Sequence, residues 1–291
     1  MTQLELVDGV ARGAPFLAGL TGRSTTVIGR ANDAAAAAQL LHAAGARVRV
    51  EPVATRADLT GDALVVVTVA TALRVPVVVA AREAGVPVLG DLDLAWLATE
   101  ADAFALTGGS SAGAASHLAA VLVDDRALLV EPTADQLAAV QVFRPRVAVI
   151  LPGAEPLAVR LIAHQTARDC LVLSNDDPGT RAVACPARGH VVWLSATHAL
   201  DHGVYIARGR IAARLNGRVE EICPVAGIPL AQREPALAAV ACALWIGFDP
   251  DVIGQALMRH FAIERAESDA FLKPVMLGRV TSWVRGFGVT R

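Results

Sequence analysis

Short runs of four to six consecutive apolar residues recur along this chain, and alanine-rich stretches with helical spacing separate them. Ala63–Val69, Val147–Leu151 and Cys170–Leu173 show no alternation of polar and apolar positions. A strand of that kind is buried on both faces, as in a parallel sheet covered by helices. Parallel neighbours need crossovers, and Ala34–Ala44, Pro76–Ala84 and Thr133–Gln141 are placed to supply them. The fold class expected is therefore α/β.

The punctuation divides the 291 residues into two units. Thr25–Ile28 predicts a strand, Ala34–Ala44 a helix closed by Gly45, and Arg47–Val50 a second strand. Ala63–Val69, Pro76–Ala84, Val86–Leu89 and Asp91–Thr99 continue as strand, helix, strand and helix, completing a Rossmann-like unit over 1–100. The second unit, 101–265, opens with a strand at Ala103–Leu106, a small-residue loop at Thr107–Gly113, and a helix to about Val121. Strands at Arg126–Val130, Val147–Leu151 and Cys170–Leu173 follow, with helices at Thr133–Gln141 and Glu155–His164 between them. Val191–Ser195, Val204–Ala207, Ile211–Leu215 and Val219–Cys223, separated by glycines, predict a small antiparallel meander. Helices at Glu234–Gly247 and Pro250–His260 close the unit, leaving 266–291 as an irregular tail.

Composition narrows the function. The chain is 54% hydrophobic, yet no apolar run approaches the roughly 20 residues of a membrane span, and no signal peptide opens it. A net charge of −2 gives no basic footprint for nucleic acid. Cys170, Cys185, Cys223 and Cys242 lack metal or redox spacing and are read as free thiols of a cytoplasmic protein. Lys273 is the only lysine. Any chemistry that needs an earlier lysine is excluded.

That exclusion bears on Thr107-Gly108-Gly109-Ser110-Ser111-Ala112-Gly113, which sits between strand and helix where a phosphate loop would lie. Such a loop needs glycines for close approach, a lysine for the outer phosphates and a hydroxyl for magnesium. Ala112 and Gly113 hold the last two positions. The first β-α turn matches the dinucleotide fingerprint only at Gly29, with Ala31 and Ala34 at the other glycine positions. Arg30, Arg74 and Arg160 are candidate anion ligands, Glu131, Glu155, Asp176 and Asp177 a candidate acidic cluster, and His198 with His202 a candidate zinc pair. His117 and His164 fall on helical stretches, and Ser110 and Ser111 lack the surroundings of a nucleophile elbow. Each has a plain structural alternative as a turn, a cap or a solvated face.

Several segments carry a resemblance. Ala81-Arg82-Glu83-Ala84-Gly85-Val86-Pro87-Val88-Leu89-Gly90-Asp91 comes first, then Ala105-Leu106-Thr107-Gly108 and Glu131 followed by Gln136-Leu137. Leu173-Ser174-Asn175-Asp176-Asp177-Pro178 and the alanine-rich helix from Ala236 complete the series. In this order the chain resembles the Mur ligases, ATP-dependent amide-forming enzymes of peptidoglycan synthesis, and within them the D-glutamate-adding branch.

The resemblance implies a UDP-sugar domain, then a P-loop-like ATPase domain shortened between Val121 and Arg126, with no C-terminal ligase domain in these residues. It places a sugar nucleotide near Gly29, Arg30 and Thr68, a vestigial nucleotide loop at Thr107–Gly113, and magnesium at Glu131. The family's T-G-[TS]-N-G-K-[ST] loses its lysine to Ala112. Its histidine and carbamylated lysine have only Pro156, Leu157, Ala158 and Arg160 as counterparts. Its G-x-H-N-x-x-N shrinks to Gln232-Arg233-Glu234-Pro235, and its Ser-Pro-Gly turn becomes Thr68-Val69-Ala70. The expectation is a pseudoenzyme with no catalytic residue and no cofactor, ATP and Mg being relevant only to an active site. It would serve as a scaffold or regulatory partner, through another protein or a homo-oligomer. The alternatives are a nucleotide or UDP-sugar binding module and a divergent ligase completed by a second chain.

Overall fold

The computed structural model describes residues 12–123, 127–215 and 217–270. Lys273 and positions 271–291 of the expected tail lie outside them.

A four-stranded parallel sheet comes first, built from β1 (Ser24–Ile28), β2 (Arg47–Glu51), β3 (Leu64–Val67) and β4 (Val88–Gly90) in the order β2-β1-β3-β4. β3 is buried at every residue, as its run of apolar side chains requires, whereas the edge strand β2 has exposed positions. Its helices are α1 (Ala14–Ala18), α2 (Ala31–Ala43), α3 (Pro76–Glu83) and α4 (Asp91–Leu97). Pro76 at the start of α3 leaves no unpaired N–H to satisfy. From β1 the chain goes through α2 to β2 on one side, then returns to β3 on the other. The strand order reverses between β1 and β3, the switch point at whose carboxyl ends open α/β sheets bind ligands.

The second sheet has eight strands: β5 (Asp102–Thr107), β6 (Ala127–Val130), β7 (Val147–Ile150), β8 (Cys170–Ser174), β9 (His190–Ser195), β10 (Gly203–Ala207), β11 (Arg210–Leu215) and β12 (Arg218–Pro224). Their order is β12-β11-β10-β9-β8-β7-β5-β6. The helices are α5 (Gly109–Val123), α6 (Ala134–Ala139), α7 (Pro178–Val183), α8 (Arg233–Trp245) and α9 (Pro250–Ala270). α8 is buried from Pro235 to Ala243, which explains its lack of a polar face.

Four local expectations change. α5 begins at Gly109, so the anticipated loop over Thr107–Gly113 is mostly helix. Among the four late strands only β10, β11 and β12 pair antiparallel, and they extend the parallel sheet. β9 and β10 run parallel because 196–202 doubles back, with Gly203 lying against the Trp193 carbonyl where a side chain would not fit. Pro156–Ile162 is a 3-10 turn rather than an α-helix. α9 runs ten residues past His260 to Ala270, across a stretch with neither Gly nor Pro.

The two sheets share one core. Val27, Leu41, Val66 and Leu89 of the first unit cluster with Ala105, Phe143, Ile150 and Leu171 of the second. Inside that apolar contact lies a carboxylate. Asp93 of α4 is fully buried and accepts N–H groups from Gly90 (2.7 Å), Gln141 (2.9 Å), Val142 (2.9 Å) and Phe143 (2.7 Å). The last three belong to the segment after α6, in the second unit. Beside it, Gln136 Nε2 donates to Asp91 Oδ2 at 2.8 Å. Arg12 stacks over Trp96 at 4.5 Å and donates to the carbonyls of Trp96 and Ala101, pinning the connection between the sheets.

Asp93→Ala leaves backbone donors of both units without an acceptor and should cost about 3–5 kcal/mol in urea unfolding. Burial raises the Asp93 carboxyl from 3.8 to about 6, outweighing the N–H groups that favour its charge. The folded chain then takes up this proton before the unfolded chain does, so the group's contribution to stability falls as pH rises from about 4 to 6. Relative to Asp93→Asn, the wild type should lose roughly 3 kcal/mol across that window, read from paired denaturation curves.

Candidate functional site

Two strand-to-helix turns hold most of the sequence candidates. In the first sheet, Gly29 and Arg30 leave β1, and Thr68 follows β3 in the adjacent position. Thr68 N–H donates to the Ile28 carbonyl at 3.0 Å, and its Oγ1 lies directly over the Gly29 α-carbon, so any side chain at 29 would collide with it. These three residues are therefore brought together at the β1/β3 switch. Thr68 is 6% exposed, and its hydroxyl has no hydrogen-bond partner among the described residues. It stands by the amino end of α2, where Arg30 supplies no side-chain cap and the helix dipole favours an anion. Arg30 is exposed and lies 3.8 Å from Asp33. Burial raises the Asp91 carboxyl at the start of the neighbouring α4, against the hydrogen bond from Gln136.

The turn from β5 to α5 is different. Gly108 alone separates strand and helix, with φ of 140°, and Gly109 follows at 43°. A Cβ on Gly108 would stand 2.5 Å from Leu151 Cβ and 2.6 Å from the Leu151 carbonyl oxygen. Gly109 N–H donates to the Gly153 carbonyl at 3.2 Å. Ser110, Ser111, Ala112 and Gly113 form the first turns of α5. Ala112, at the position expected for the loop lysine, is 7% exposed. Glu131 is exposed just after β6, and its Oε2 lies 3.5 Å from where a Cβ on Gly113 would be.

Most of the remaining candidates disperse. Asp177 caps α7 through Thr180 N–H at 2.7 Å, and Glu155 precedes the Pro156–Ile162 turn. Among the described residues no group of three or more His, Cys, Asp or Glu could hold a metal ion, so neither the acidic cluster nor the His198–His202 pair assembles one. His117 packs at a tilt against His260 with ring centroids 5.4 Å apart, burial lowers His164, and Arg160 donates to the Val140 carbonyl. Arg74 ends the turn at Ala70–Arg74.

Asp176 gains partners that sequence reading did not anticipate. It accepts from Ser195 Oγ, Thr197 Oγ1 and Ala196 N–H, each at 2.8 Å, while His198 Nδ1 lies 3.5 Å away. Burial acts to raise Asp176, but these hydrogen bonds and His198 hold it below the usual carboxylate range. Nearby Ser174 Oγ donates to Glu234 at 2.6 Å, and burial pushes Glu234 up. The available signal was positional: Ser195-Ala196-Thr197-His198 and Ser174–Asp177 end adjacent parallel strands, whose carboxyl ends lie side by side.

Gly108→Ala should destabilise the chain by about 2–4 kcal/mol, because both the positive φ and the Leu151 backbone oppose a side chain. Ser110→Ala, on the exposed face of α5, should change thermal unfolding by less than about 0.5 kcal/mol.

Comparison with known proteins gives the sequence a context. No protein-family model matches. A UDP-N-acetylmuramoylalanine–D-glutamate ligase of Pelotomaculum thermopropionicum is 29% identical over 237 residues, covering 67% of this chain and 52% of that protein. The same ligase of Acidobacterium capsulatum is 24% identical over 312 residues, covering 84% and 68%. Among solved structures, the UDP-N-acetylmuramate:L-alanyl-gamma-D-glutamyl-meso-diaminopimelate ligase of Neisseria meningitides has a TM-score of 0.49 and 16% identity over 81% of this chain and 98% of that one. The chain spans about half the length of the Pelotomaculum relative and about two thirds of the Acidobacterium one. By sequence it is a homologue of the Mur ligase family, on the side of the UDP-N-acetylmuramoylalanine–D-glutamate ligases.

Proposed function

We propose that this chain does not perform ATP-dependent amide ligation and serves peptidoglycan-precursor synthesis in the cytoplasm as a scaffold or regulatory partner. Residues 1–100 correspond to a sugar-nucleotide domain and 101–265 to an ATPase-like domain. One observation carries the reading: no lysine occurs among residues 1–272, and Ala112, at the loop position, is turned inward. Phosphoryl transfer depends on positive charge held at the outer phosphates, and no lysine before Lys273 can supply it. Among the described residues no group of three or more His, Cys, Asp or Glu joins Glu131 at this turn. Magnesium and ATP do not fit these residues.

A second reading, compatible with the first, is supported by Thr68. A buried hydroxyl without a partner among the described residues is costly unless a ligand or a water satisfies it. At the β1/β3 switch, Thr68 Oγ1, the amino end of α2 and Arg30 are the groups that would hold the diphosphate of a UDP-sugar. The chain then acts as a binding module that presents or senses a precursor.

Two measurements test these readings. Phosphate release from ATP should stay at background with UDP-N-acetylmuramoyl-L-alanine and D-glutamate present; release requiring both substrates would restore the ligase. Thr68→Val should leave stability unchanged or raise it by up to about 1 kcal/mol, since it removes an unpaired polar atom. The same variant should weaken UDP-sugar binding by about tenfold in calorimetry. No heat from any UDP-sugar with the wild type would remove the binding-module reading.

A further inference from the structure

A phosphate loop works because successive residues are held outside the helix with their N–H groups aimed at one point. The β5–α5 turn lacks that arrangement in its backbone as well as its charge. Gly108 is the only residue between strand and helix, and its carbonyl already accepts Ala112 N–H at 3.0 Å. Gly109 N–H is bound to the Gly153 carbonyl at 3.2 Å. The Leu151–Gly153 segment after β7 packs against both glycines, close enough that a Cβ on either would touch it.

The side-chain positions point the same way. Ala112 lies on the α5 face that continues through Ala115 and Ala119, both fully buried in the core containing α8. A lysine there would direct its stem into that packing. Ser111 is half-buried, and the Glu131 carboxylate lies beside the next turn at Gly113. A cation introduced near this turn meets that carboxylate, whose charge also opposes an incoming polyphosphate.

We infer that the β5–α5 turn is a closed structural joint, sealed on Leu151–Gly153, and that returning a lysine to it does not restore polyphosphate binding. The inference rests on the reading that this chain is not a working ligase, and it adds that the loss lies in the backbone rather than in one side chain.

Calorimetric titration of the full chain with ATP–Mg and with inorganic pyrophosphate tests it. Wild type, Ala112→Lys, Ser111→Lys and Ser111→Lys/Glu131→Gln should agree within about twofold. Ser111→Lys covers the case in which Ala112→Lys fails to fold, and circular dichroism establishes which variants are folded. A gain of about tenfold or more in any folded lysine variant overturns the inference. A gain confined to the double variant overturns it too, because charge alone would then have closed the turn. Substrate-dependent phosphate release by the wild type is a separate readout. It would sink the non-ligase reading whatever the lysine variants bind.

Discussion

The arrangement of the two sheets depends on one buried carboxylate. Asp93 sits on a helix of the first unit and receives three consecutive N–H groups from the second, together with Gly90 at the start of its own helix. Apolar contact between the units supplies most of the favourable area but specifies no angle, because hydrophobic burial is non-directional. Four hydrogen bonds to a side chain with 0% exposure do specify one. Charging Asp93 in that setting is costly, because burial disfavours the ionised carboxylate. What it gives in return is orientation: the unit bearing the β1/β3 switch is fixed against the unit bearing the β5–α5 turn.

With that orientation set, the two turns have the same topology and different contents. Each follows a buried parallel strand and leads into a helix, so each is a natural place for an anion. In the first sheet the turn keeps an unpaired hydroxyl over a glycine. In the second the corresponding space is filled by Leu151–Gly153, and the backbone donor at Gly109 is already used.

The sequence made most of the fold legible because burial and residue type go together here. Val65, Val66 and Val67 are fully buried, as an uninterrupted apolar run requires, and Asp177-Pro178 begins a helix as its turn chemistry predicts. Gly29, Arg30 and Thr68 meet where the β-α-β pattern brings strand ends together. The start of α5 was misread because Gly109-Ser110-Ser111 has low helical propensity, and the turn around Leu151–Gly153 overrides it. The parallel β9–β10 pairing was hidden for a similar reason: its short return depends on close approach at Gly203, which has no periodic signature. Asp93 carried no signal either, since an acid in the first turn of a helix is ordinary. Only the partner segment, 48 or more residues later, makes it a buried link.

Acidic groups stand at strand ends in both sheets while position 112 carries no charge, and packing accounts for the difference. Asp91 is tied to Gln136 and Asp176 to Ser195 and Thr197, so removing either carboxylate would leave protein donors unpaired. These acids have structural work independent of any nucleotide. A phosphate-loop lysine has no such second role: its ammonium is satisfied by the ligand, and without the ligand it is an isolated cation near a core. Without a bound polyphosphate, packing favours a small side chain at position 112. Ala112, packed in line with Ala115 and Ala119, is the residue that a purely structural α5 would carry.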